Sequence, residues 1–131
     1  METTVMNIAY LVVTIVLAAM AAFSGLGKLR RHPKIVHVVH EVVGVPLQYF
    51  PHLAAFEFAG ALGLVLGIRW PFLGMVAGIF LASYFVGAIV SHLQVGDVKG
   101  IGPAAFMLSI SVAALALRVL AHKTGVVGVA T

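Results

Sequence analysis

The sequence predicts an all-α integral membrane protein, an antiparallel four-helix bundle with one short interfacial or re-entrant helix between the first and second spans. Three observations predict it. Of the 131 residues, 62% are hydrophobic and only 9% are charged, whereas charged residues make up roughly a quarter of a soluble globular domain. Four apolar stretches, Met6 to Gly27, Leu53 to Ile68, Phe72 to Val90 and Ile101 to Leu120, each reach or approach the ~20 residues that cross a hydrocarbon core at 1.5 Å rise per residue. Their even number returns the chain to its starting side, which gathers Lys28, His32, His37, His40, Glu41, His52, Glu57, His92, Asp97 and Lys99 toward one face. Residues 1–131 read as a single membrane domain, with spans at about 6–27, 51–68, 71–92 and 101–121 and the interfacial helix at about 34–44.

The formal charge of +4 does not point to nucleic acid, because Lys28, Arg30, Arg31 and Lys34 follow directly on an apolar span, where cations meet lipid headgroups. There is no cysteine, so disulfides, thiol nucleophiles and thiolate metal sites are not this chain's own contribution. Ala19-Met20-Ala21 resembles a signal-peptide cleavage site. The segment before it carries Glu2 in place of a basic start and too long an apolar run, so it is read as a genuine first helix.

The first span ends in the small residues Ala18, Ala19, Ala21 and Ala22, which allow close helix approach, and then in Phe23-Ser24-Gly25-Leu26-Gly27-Lys28, where glycines weaken the helix and a cation reaches the interface. The connector from Leu29 to Phe50 is too long for a tight turn and too apolar for a solvated loop. Lys34, His37, Glu41 and Gly44 follow i, i+3, i+7 spacing, so a short helix starts near Pro33 and stops near Gly44 and Pro46. Its many valines make a strand the alternative. The second span opens at Pro51, carries Gly60, Gly63 and Gly67, and ends at Arg69-Trp70-Pro71, a cation and an indole at the far interface. In the third, Gly74, Gly78 and Ala82 form a small-residue face for packing on another helix, and a homodimer or partner contact through the glycine faces is expected. Gly96-Asp97 marks a turn, Gly102-Pro103 starts the fourth span, and Arg118 to Lys123 ends it. Lys28, Arg30, Arg31, Lys34 and Lys99 on one side outnumber Arg69, Arg118 and Lys123 on the other, which places both termini outside.

Glu57 is the first candidate for chemistry, since it lies about 9 Å along the helix from Pro51, and a carboxylate at that depth must be protonated, paired or in a wet cavity. Its structural reading is an ion pair or hydrogen bond that pins the bundle. Lys28 is the natural partner, and otherwise a snorkelling interface anchor. His92 ends the third span on the same side, so a cation, a carboxylate and an imidazole converge. Glu57 and His92 are the candidate catalytic pair for proton transfer, and Lys28, Glu57 and His92 the candidate ligand-binding set. His92 capping a helix end is the plainer reading. His37, His40 and Glu41, at i, i+3, i+4, form a candidate metal site on one helical face, or the polar face of a helix lying among headgroups. Haem held by one of these histidines would have no covalent attachment motif, for want of cysteine. His52 and His122 read as interfacial side chains.

Phe23-Ser24-Gly25-Leu26-Gly27-Lys28-Leu29, then Gly44-Val45-Pro46, then Glu57-Phe58-Ala59-Gly60 with Leu64-Val65-Leu66-Gly67, resemble the DoxX-like family of small four-helix membrane proteins over residues 10 to 115. The resemblance implies a compact antiparallel bundle with the lysine at the end of helix one and the glutamate early in helix two, here Lys28 and Glu57. The family takes its name from a subunit of an archaeal thiosulfate:quinone oxidoreductase. The expectation is a multi-pass protein of a prokaryotic cell membrane, a component of a redox or lipid-phase pathway that binds a quinone or another lipophilic ligand, with a membrane redox partner to do any sulfur chemistry. Two other readings stand beside it: a self-sufficient membrane isomerase, acid-base or assisted by a metal or haem, and a purely structural or assembly protein.

Overall fold

A backbone in lipid must satisfy its own hydrogen bonds, and a chain this apolar does so as helix. The computed structural model describes residues 2–123, and side chains from residue 4 to residue 120. His122 and Lys123 therefore lie outside the described side chains. Helix α1 runs Glu2–Leu29, α2 Pro33–Ile35, α3 Phe50–Arg69, α4 Pro71–Gln94 and α5 Gly102–Lys123, with no strand among the described residues. Four of them, α1, α3, α4 and α5, are long and apolar enough to cross a membrane. The connector is helical, so the strand alternative is not adopted.

The long helices close into a ring, α1 on α3, α3 on α4, α4 on α5 and α5 back on α1. Leu17 and Ala21 of α1, Leu64 of α3, Leu81 and Phe85 of α4 and Met107 of α5 meet at its centre. Large apolar side chains such as Phe23, Phe72 and Phe106 face outward, the inverse of a soluble bundle and the arrangement lipid favours. Trp70 alone, extended at φ −119° and ψ 102°, separates α3 from α4. Pro71 imposes this, because the residue before proline is pushed out of the α region.

The α3–α4 hairpin is close because its glycines interlock. A Cβ at Gly67 would run into the backbone of Gly74, one at Gly60 into Leu81, and one at Gly63 would lie 2.9 Å from the Ala77 Cβ. Gly74 also faces Tyr10 of α1, and Gly78 faces Leu115 of α5. The small-residue face of α4 thus packs on another helix as expected, here on α3, α1 and α5 of the same chain. Gly67→Ala therefore lowers stability by about 1 kcal/mol, the overpacking penalty less the helix propensity gained. Gly87→Ala, whose Cβ meets nothing within 4 Å, raises it by up to about 1 kcal/mol. Thermal unfolding in detergent compares the two.

The connector starts where expected and departs in register. His32 caps it, its Nδ1 accepting from the Lys34 N–H at 3.3 Å, and Pro33 supplies the first turn. Residues Val36–Val42 then form a π-helix in place of an α-helical stripe, and helix ends at Val42, short of the expected Gly44. The chain leaves it through Gly44 at φ 93°, a left-handed conformation that glycine adopts without a Cβ penalty.

Candidate functional site

Ser24 and Lys28 lie four residues apart on α1 and share a face. Opposite them, Glu57 sits two turns into α3 and is almost wholly buried. The Lys28 ammonium donates to Ser24 Oγ at 2.9 Å, to Glu57 Oε1 at 3.2 Å and to Glu57 Oε2 at 3.1 Å. Ser24 Oγ donates in turn to Glu57 Oε1 at 2.9 Å, and Tyr84 of α4 lines the same cavity as the carboxylate. Both oxygens of Glu57 are thus engaged, and the ammonium is paired with the carboxylate and with a hydroxyl. A buried carboxylate and ammonium offset each other's desolvation when they pair in this way.

His92 is placed by the way α4 ends. The Asp97 N–H donates to the His92 carbonyl at 2.9 Å and the Gly96 N–H to the Leu93 carbonyl at 3.1 Å, with Gly96 left-handed at φ 72°. This is a Schellman closure, and it folds the chain back so that Asp97 Oδ2 lies 2.9 Å from His92 Nδ1. Gly100 lets the loop pass beside the pair, since a Cβ there would collide with both Asp97 Oδ2 and His92 Nδ1.

Lys28, Glu57 and His92 all line one half-enclosed cavity of about 430 Å³, a volume in the range of small-molecule sites. Ser24, Tyr84 and Ser91 are its other polar side chains. Val38, Val39, Val43 and Val45 of the connector form one wall, and Phe56, Phe85 and Met107 contribute to the others. The arrangement presents a polar floor to an apolar chamber within the bundle, suited to a molecule with a polar head and an apolar body.

Of the expected metal set, His37 and Glu41 meet at 2.9 Å on the exposed face of the π-helix. His40 instead turns to the Val45 carbonyl at 2.8 Å. The wider i→i+5 turn keeps residues four apart aligned and carries the residue three along away from them. Among the described residues no three His, Asp or Glu side chains are gathered as a metal requires. His52 packs edge-on against Tyr49, outside the cavity.

Three residues of the site escaped the reading of the sequence as site residues. Ser24 had a signal, its i, i+4 spacing from Lys28. Tyr84 had none, being one more aromatic in an apolar run. Asp97 was legible only as part of a turn, and its approach to His92 depends on the helix closure.

The model of the family described as the DoxX-like family matches residues 12–114. Neither the curated proteins nor the solved structures contain a match to this chain.

Proposed function

This chain belongs to the DoxX-like family, and from that premise we propose that it binds a quinone or another lipophilic ligand in the cavity beside Lys28, Glu57 and His92, as a membrane component of a redox or lipid-phase pathway. The observation that carries this reading is the polar floor of Ser24, Lys28, Glu57, Tyr84 and His92 within an otherwise apolar chamber of about 430 Å³. An apolar body would occupy the chamber, and its head would reach the floor near His92. The excess of lysine and arginine on the Lys28 side supports placing the floor toward the cytoplasm, with both termini outside. A membrane redox partner would carry out any sulfur chemistry.

The engagement of both Glu57 oxygens by Lys28 and Ser24 favours a holding role over acid-base chemistry, because the carboxylate is committed to partners within the protein. Its carboxylate orients the floor. His92 is the polar group that meets the head.

The test is a titration of the purified chain in detergent with a decyl-substituted 1,4-benzoquinone and the matching benzoquinol, followed by isothermal calorimetry. The wild type binds at least one of the two. His92→Ala and Glu57→Gln each weaken binding about tenfold, equivalent to about 1.4 kcal/mol. Binding of equal strength in both variants, or none in the wild type, overturns the reading.

A further inference from the structure

We propose that the cavity selects a ligand whose head donates a hydrogen bond, a phenolic or alcoholic hydroxyl, over the corresponding carbonyl, and that Asp97 sets this selectivity by fixing the tautomer of His92. The proposal rests on the cavity being a ligand site and adds which head group it takes.

The Lys28 ammonium lies within hydrogen-bond distance of Ser24 Oγ and of both oxygens of the Glu57 carboxylate. Ser24 donates its single proton to Glu57 Oε1. Ser91 Oγ donates back to the Gly87 carbonyl at 2.8 Å. The Ser24 and Ser91 hydroxyls are therefore engaged inside the protein, and the Lys28 ammonium is turned toward Glu57 and Ser24.

His92 decides what remains. Its Nδ1 faces Asp97 Oδ2 at 2.9 Å, and a carboxylate only accepts, so Nδ1 carries the hydrogen. In the neutral imidazole Nε2 then carries a lone pair. With Nδ1 committed to the loop, Nε2 is the ring nitrogen left for an occupant of the cavity that His92 lines. It accepts a hydrogen bond from a hydroxyl and offers nothing to a carbonyl. The geometry behind this is specified by the chain: the Schellman closure brings Asp97 over the ring, and Gly100 leaves the space. Asp97 is a positioning residue in this scheme.

A quinol and its quinone share one ring and tail and differ in this one property, so they are the probes. Anaerobic calorimetric titrations use the full chain in detergent at about pH 8, where an ordinary imidazole is neutral. The decyl-substituted benzoquinol binds at least tenfold more tightly than the benzoquinone. In Asp97→Asn the amide offers Nδ1 both an acceptor and a donor, the tautomer is no longer fixed, and the ratio falls toward one. Independently of any variant, the ¹⁵N spectrum of histidine-labelled wild type shows His92 protonated at Nδ1. Equal or tighter binding of the quinone, an unchanged ratio in Asp97→Asn, or a proton on Nε2 overturns the selectivity while leaving the cavity a ligand site. Binding of neither probe overturns the site itself.

Discussion

Glu57→Leu lowers the unfolding free energy of the bundle by about 3–5 kcal/mol, because it strands the buried Lys28 ammonium without its counter-charge. Lys28 is buried, and two of its three acceptors are the carboxylate oxygens of Glu57. Removing them leaves only Ser24 Oγ, itself deprived of the oxygen it donates to. Lys28→Met has an effect of the same order for the mirror reason, leaving a buried carboxylate with the Ser24 hydroxyl in place of its counter-charge. The double variant Lys28→Met with Glu57→Leu recovers most of the loss, since replacing both members of a buried pair by apolar side chains of similar size is often neutral or stabilising. A double-mutant cycle on denaturant or thermal unfolding in detergent reads the coupling. Additive single effects, or single effects near zero, would show that the pair does not hold α1 to α3. Glu57→Gln keeps an acceptor for Lys28, which is why it serves the binding test and leucine serves this one.

The pair itself could be anticipated from the chain, and its reason is physical. Charges are so scarce in an apolar sequence that each one inside a span must find a partner, and parity put Lys28 and Glu57 at the same end. The four spans were legible on the same ground, since length and apolarity alone decide what crosses lipid. The details that failed are those set by competition between neighbouring side chains. The valine-rich connector reads by spacing as an α-helical stripe, yet it closes as a π-helix and separates His40 from His37 and Glu41. The glycines of α4 read as a face for another helix, but spacing cannot tell which one, and it is the tight turn at Trp70-Pro71 that folds α4 back onto α3. Asp97 reads as a turn residue, and only the six-residue closure at the end of α4 turns it into the partner of His92. Such contacts depend on backbone geometry beyond the helix, where periodicity carries no information.

Arg118→Met raises the stability of the bundle by about 2 kcal/mol. Arg118 belongs to α5 and is buried to 1% exposure, and among the described residues none of its three guanidinium nitrogens has a hydrogen-bond partner. An arginine cannot shed its charge, so this side chain differs from Lys28, which is buried against its counter-charge. The Tyr10 ring, 5.0 Å from the guanidinium carbon, offsets part of the penalty, at most about 2 kcal/mol for a desolvated cation over an aromatic face. A buried ion costs several kcal/mol in general. Methionine follows much of the same path through the core with no donors to satisfy, so the unoffset part of the penalty disappears. Tyr10→Leu separates the contributions: it costs about 0.5–2 kcal/mol more in the wild type than in the Arg118→Met background, the difference being the cation–π contact. Thermal unfolding of the four proteins in one detergent gives both quantities. A loss of stability in Arg118→Met would mean that the guanidinium has a counter-charge in the membrane, an anion or lipid phosphate that binds at the end of the bundle opposite Lys28.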